Sequence, residues 1–214
     1  MSSKLAPAPK TRDAGRSRSA ILDAAEELFA QKGFDGVSFA EIGKRAGVSR
    51  GTPGYFFGSK VELYEAVLDR IFQTALREIA LAAGRAAQAA SPREVLAAGL
   101  GGYIDFIAGN PNFVRLVEHE ALKGGGALGE NPVHVRALEA GIAAIQAYLP
   151  PEGVASTDLK QLTISLMGLC WFPFAHRQTL LPALGIDPGD PEFLVARKKH
   201  VVELVLRGFF GKEA

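Results

Sequence analysis

At 214 residues, with 48% hydrophobic and 22% charged side chains, the chain can build one large core or two small ones and is too apolar to stay disordered. Its formal charge of +1 announces no polyanionic partner, yet residues 1–60 hold ten Lys/Arg against six Asp/Glu, a net of +4, and the remainder nets −3. A basic front on an acidic body is the asymmetry expected when one end alone meets nucleic acid. Cys170 is the only cysteine, which excludes an internal disulfide and suits a reducing cytoplasm. The polar, basic start MSSKLAPAPKTRDAGRSRS has no apolar signal-peptide core. The longest uncharged run, Gln161–Ala175, falls short of the roughly 18–20 residues of a membrane span, so it is expected to be a buried helix. A cytoplasmic protein with no membrane partner is expected.

In chain order, residues 1–16 are rich in Pro, Ala, Ser and Lys/Arg and are expected to form a flexible basic arm. Lys4, Lys10, Arg12, Arg16 and Arg18 stand there against Asp13, the composition of arms that enter a DNA minor groove or of a solubilising tail. Ile21, Leu22, Ala25, Leu28 and Phe29 then mark one face of a first helix, which Gly33 ends. Ser38-Phe39-Ala40-Glu41 has capping-box form and opens a short second helix with Phe39, Ile42 and Ala46 inward and Gly47 at its end. A third helix lies within Ser49–Phe57. Ser59-Lys60-Val61-Glu62 is another capping box, and Leu63, Tyr64, Val67, Leu68, Ile71, Phe72, Ala75 and Ile79 continue as the apolar face of a long helix suited to joining two domains.

Beyond an Ala-rich joint at Leu81–Ala90 the punctuation stays helical. Ser91-Pro92-Arg93-Glu94 and Asn110-Pro111 start helices, and Gly124-Gly125-Gly126 with Asn131-Pro132 mark a loop before a helix at about 133–148. Pro150-Pro151 breaks the chain, Thr157 or Asp158 begins the helix of the uncharged run, and a loop with Pro182, Pro188 and Asp190-Pro191 leads into a last helix ending near Phe210. The expected fold is all-α, with about nine helices: a DNA-binding part over 17–76, a helix-turn-helix over about 38–57, and a helical body over 77–214.

Two short helices joined by a glycine turn and packed on a third form the helix-turn-helix plan, in which the second helix enters the major groove. Here Ala46-Gly47-Val48 makes the turn. Lys60 adds a physical cue: a cation in a helix's first turn opposes the macrodipole, but beside free amides it makes a phosphate site.

Gly33-Phe34, Ser38, Ile42, Ala46-Gly47-Val48-Ser49, Gly51-Thr52, Phe57, Ser59-Lys60 and Leu63-Tyr64 follow one another without a gap. Over residues 17–68, about a quarter of the chain, this order and spacing resembles the N-terminal signature of the tetracycline-repressor (TetR) family of transcriptional regulators. The resemblance implies a homodimer on a double-stranded DNA operator and one small-molecule effector cavity per subunit, with no enzymatic activity and no cofactor. It implies that Ser38 gives its hydroxyl and amide to a phosphate, and that Ser49 and Thr52 bond phosphate or base edges. Arg50 is the candidate for sequence readout, since Arg fits guanine O6/N7 bidentately. Tyr55 falls on a groove-facing position, or else packs on Phe56 or Phe57. The chain departs from the family at Pro53-Gly54, where an aliphatic residue and a tyrosine usually stand. Thr52-Pro53 itself reads as a cap and first position, which starts the helix there, whereas the family alignment starts it at Ser49.

In the body, Tyr103, Phe106, Phe113, His134, Trp171 and Phe174 suit either a plain core or a pocket, and as a lining they point to a largely apolar, aromatic effector. The resemblance further implies that the last two helices form a four-helix dimer interface, for which the Leu162–Ala175 run and Val201, Val202, Val205 and Phe209 provide apolar surface. Against an enzyme, there is no HExxH, no G-x-S-x-G and no phosphate-cradling glycine loop, and Glu118, His119 and Glu120 diverge around a helix. A metal sensor using Cys170, His176 and carboxylates, or a helical protein-interaction module, are the remaining alternatives; binding to duplex DNA sets the second aside.

Overall fold

A computed structural model describes residues 10–87, 91–129, 131–149, 158–187 and 190–210. Its regular elements are all helices, as the punctuation predicts: α1 Lys10–Lys32, α2 Phe39–Ala46, α3 Thr52–Phe57, α4 Lys60–Ala87, α5 Pro92–Gly109, α6 Pro111–Leu122, α7 Gly126–Gly129, α8 Pro132–Tyr148, α9 Leu159–Ala175, α10 Leu180–Ala183 and α11 Pro191–Phe210. The single-turn helices α7 and α10 lie in segments expected to be loops. Lys4, Pro150-Pro151, Thr157 and Pro188 lie outside the described residues. The chain divides into two compact units, Met1–Asp69 and Arg70–Ala214. That boundary falls inside α4, earlier than residue 76, because Phe72 already packs edge-on against Phe113 at 5.2 Å in the second unit.

In the first unit, Ile21, Leu22, Ala25 and Phe29 of α1 are buried as their spacing requires, and Gly33 stops the helix at φ 70°. Phe29, Phe34 and Tyr64 form an aromatic cluster with ring centroids 5.0 to 6.0 Å apart. Helix α1 begins at Lys10, so the stretch 10–16 of the expected flexible arm is helical. Arg16 pairs with Asp13 one turn earlier at 2.7 Å, and Arg18 lies over the Phe57 ring at 4.8 Å. Arg18 is therefore part of the packing of this unit rather than of an arm.

In the second unit, Ser91 caps α5 in the predicted box, Asn131 caps α8 through the amides of Val133 and His134, and Asp158 caps α9 through those of Lys160 and Gln161. Asn110 behaves differently: its side chain donates back to the Phe106 carbonyl at 2.7 Å instead of capping α6. Pro173 sits inside α9 and has no N–H, which leaves the carbonyl four residues earlier without its helical partner. That carbonyl belongs to Leu169, and Arg197 of α11 donates to it from Nη2 at 2.6 Å. A side chain of one helix thus completes the backbone of another. Beside it, Cys170 is fully buried and burial pushes its thiol up to about 12, so it stays protonated.

Candidate nucleic-acid interface and ligand cavity

Helices α2 and α3 meet across a turn whose tightness depends on two glycines. Gly47 takes φ 70°, a left-handed conformation that L-residues avoid, and its amide returns to the carbonyls of Gly43 and Lys44. At Gly43 a Cβ would come within 3.0 Å of the Ser49 carbonyl oxygen, so the absent side chain lets the turn lie directly on α2. Helix α3 starts at Thr52 with Gly51 as its cap and Pro53 in its first turn. The start lies between the two expected ones: Thr52, the residue before Pro53, is already helical, Gly51 is right-handed at φ −84°, ψ −15°, and the Thr52 amide donates to the Ser49 carbonyl at 3.0 Å, so the turn runs straight into the helix. Pro53 is fully buried and serves with Phe57 as the inward anchor of α3.

The predicted DNA-contacting residues are distributed around this turn. Tyr55 is 85% exposed and meets Phe56 edge-on at 5.3 Å, so its ring is displayed outward rather than buried. Ser49 and Thr52 share a hydrogen bond between hydroxyls at 2.7 Å. Arg50 is exposed in the turn before α3, not on the helix itself, and makes no ion pair among the described residues. Two other cations of this unit are engaged: Lys32 with Glu41 at 2.9 Å, and Arg45 with Glu27.

Two expectations from the resemblance meet competing partners. The Ser38 hydroxyl donates to Glu41 Oε2 at 2.9 Å and its amide donates to the same oxygen at 3.0 Å, so both groups expected to face a phosphate already belong to the capping box. Lys32 and Ser38 together hold the Glu41 carboxyl at about 2, the Lys32 hydrogen bond contributing most. Lys60 is also satisfied from within. Its ammonium donates to the carbonyls of Phe34 and Val37, each at 3.0 Å, and lies 4.4 Å from the Phe34 ring centroid. A cation disfavoured by the α4 dipole is thus retained by two carbonyl dipoles and a ring face. It fastens the loop before α2, and only its third proton is left for another acceptor.

The second unit holds a cavity of about 430 Å³, within the range of small-molecule sites. Of the six aromatic candidates, Tyr103, Phe113, His134 and Trp171 line it. Phe106 and Phe174 do not: Phe106 is buried behind Phe113 at 5.1 Å, and Phe174 faces Phe193 at 6.4 Å. The sequence reading missed Phe72, Leu76 and Ile79 of α4, and Tyr148 of α8, all in the lining. The signal was present in the apolar face of α4, which runs on past the first unit. Trp171 donates its indole N–H to Glu118 at 2.6 Å. Glu118 in turn lines a separate recess of about 240 Å³ with Arg115 and His119. The expected interface residues Val201, Val205 and Phe209 face inward, Val201 into the core and the others onto the cavity, because they share one helical face. The exposed apolar residues of α9 and α11 are instead Ile164, Phe172, Val195 and Leu204. Among the described residues no three His, Cys, Asp or Glu converge as a metal site, and no helix is long and apolar enough to cross a membrane.

A glycine-tight helix-turn-helix unit followed by a helical unit with an apolar cavity defines the class of DNA-binding transcriptional regulators. Residues 21–67 match the model of bacterial regulatory proteins of the tetR family, and residues 92–205 match that of the tetracyclin repressor-like C-terminal domain. The chain belongs to the TetR family of transcriptional regulators. It is similar to the HTH-type transcriptional repressor NicS of Pseudomonas putida KT2440, 26% identical across 93% of this chain and 95% of that protein. The HTH-type transcriptional regulator RutR of Escherichia coli K12 is 42% identical over 62 residues, 29% of each chain. Among solved structures, a TetR-like regulator from Rhodococcus sp. RHA1 superposes with a TM-score of 0.69 at 23% identity, covering 96% of this chain and 100% of that one. FadR of Bacillus subtilis in complex with stearoyl-CoA gives 0.64 at 19% identity, covering 91% and 99%.

Proposed function

We propose that the chain is a repressor that binds a near-palindromic double-stranded operator as a homodimer and is released when a small, largely apolar effector fills its cavity. The observation that carries this reading is the apolar cavity of about 430 Å³ in a chain that also bears the helix-turn-helix. The part up to residue 69 would serve DNA, and residues 70–214, rather than 77–214, the effector and the dimer. Arg50 and Tyr55 are displayed for base contact, Ser49 and Thr52 for base edges or phosphate, and Ser38 and Lys60 for phosphate once their internal partners give way. Ile164, 62% exposed, and Val195, 66% exposed, offer apolar surface for a second copy. Repression is supported by the repressor among the relatives.

Release requires the effector to prefer the DNA-free conformation, since a ligand indifferent to the two shifts nothing. Helix α4 is the proposed link: it begins at Lys60 and contributes Phe72, Leu76 and Ile79 to the cavity wall. The test is footprinting across genomic fragments, then titration of the protected site at several salt concentrations. The expected footprint has two-fold symmetry, with half-sites one helical turn of about 34–36 Å or a multiple apart, and affinity falls steeply with salt. A footprint without internal symmetry, or binding indifferent to salt, overturns the proposal.

A further inference from the structure

We infer that the cavity is built for an uncharged ligand of roughly two to three rings that both accepts and donates hydrogen bonds, meeting the hydroxyls of Tyr103 and Tyr148 and Nε2 of His134. The inference rests on the effector reading above and adds to it the charge and hydrogen-bonding character of the ligand.

The size follows from volume: a cavity of roughly 150 Å³ accepts one benzene ring, and this one measures about 430 Å³. The charge follows from the wall. None of the described lining residues is Asp, Glu, Lys or Arg, and only Tyr103, His134, Tyr148, Thr163 and Trp171 carry a side-chain nitrogen or oxygen. A carboxylate or ammonium placed against this wall would give up water and meet no opposite charge among the described residues.

The hydrogen-bonding character follows from which polar atoms are already committed. The Trp171 indole donates to Glu118 at 2.6 Å, and the Thr163 hydroxyl donates to the Leu159 carbonyl at 2.8 Å. His134 Nδ1 lies 2.9 Å from the Leu128 carbonyl oxygen, which can only accept, so Nδ1 carries the hydrogen. That tautomer places the ring's lone pair on Nε2. The Tyr103 and Tyr148 hydroxyls, both in the lining, meet no hydrogen-bond partner among the described residues. Burial, with a smaller contribution from Cys170, raises the pKa of Tyr103 far above the ordinary value, so it remains a donor. A ligand hydroxyl satisfies this set, because its oxygen accepts from a tyrosine while its hydrogen goes to the histidine. A purely hydrocarbon ligand leaves those groups unmatched, and unmatched polar groups penalise binding.

Three para-substituted biphenyls that differ in one group test this on the full-length protein by equilibrium dialysis: the hydroxymethyl, methyl and carboxylate compounds. The alcohol is expected to bind tightest, the methyl compound about 5–10-fold weaker, and the carboxylate at least about 100-fold weaker. In a Tyr103→Phe/Tyr148→Phe variant the alcohol should lose most of its advantage while the methyl compound binds as before. Equal binding of alcohol and methyl compound overturns the inference. So does a carboxylate that matches the alcohol, and in either case the effector reading stands because a ligand still enters. If none of the three binds or changes Trp171 emission, the inference and the effector reading fall together.

Discussion

Replacing Arg197 by methionine removes the donor that stands in for the missing amide of Pro173. The Leu169 carbonyl then keeps no partner, and a hydrogen bond from a charged donor contributes roughly 1.5–3 kcal/mol. Part of that loss is returned, because Arg197 Nε is itself buried without a partner and its removal relieves an unfavourable burial. The net expectation is a destabilisation of about 1–2 kcal/mol, or a melting temperature lower by roughly 2–8 °C for a chain of this size. The decisive measurement is a double-mutant cycle with Pro173→Ala, followed by circular dichroism at one fixed protein concentration, since association makes melting concentration-dependent. Alanine supplies an N–H that can close the helical bond to Leu169, so Arg197→Met should cost distinctly less in that background. If Arg197→Met costs the same with Pro173 or Ala at that position, the backbone-completion argument is wrong and Arg197 acts through packing alone.

Lys60→Met should lower the melting temperature by an amount corresponding to about 1–3 kcal/mol and weaken binding to specific and random duplex alike; an unchanged melting curve would make Lys60 a phosphate ligand only. Arg50→Ala should cost roughly 1–3 kcal/mol on the operator and relax preference at one base pair per half-site, whereas an equal loss on all sequences identifies a phosphate contact. Glu41 has a carboxyl depressed from 4.5 to about 2, so the unfolded chain binds the proton more readily and the stability Glu41 contributes is present above about pH 4.5 and lost as pH falls through about 2. Acid titration of the helical signal should show that loss in the wild type and less of it in Glu41→Gln.

What was legible in the sequence was written in local chemistry. The capping boxes at Ser38, Ser59 and Ser91 placed three helix starts because each serine and its glutamate satisfy each other's amides within four residues. Gly33 and Gly47 placed two helix ends for an equally local reason. Thr52-Pro53, read as cap and first position, offered one start of α3 and the family alignment offered another at Ser49; the helix takes Thr52 as its first residue with Gly51 as cap, between the two. Long-range partners were not legible. Nothing near Lys60 in the sequence announces the carbonyls of Phe34 and Val37, and nothing near Arg197 announces Leu169. The same limit governed the cavity. Phe106 and Phe113 are equally apolar on paper, and which of them faces the void depends on how α5 and α6 pack.

The Trp171–Glu118 bond has an optical consequence. Its donor lines the large cavity and its acceptor lines the smaller recess, with Phe113 and Val117 of α6 on one side and Arg115, Glu118 and His119 of the same helix on the other. The chain's sole indole is therefore a reporter shared by two compartments. A cation or hydrogen-bond donor that draws Glu118 into the recess will alter the emission without touching the ring, and a hydrophobe against the ring will alter it without touching Glu118. Paired titrations of the wild type and Glu118→Gln separate these events: the signal from the recess fades with the charge, and the signal from the large cavity persists.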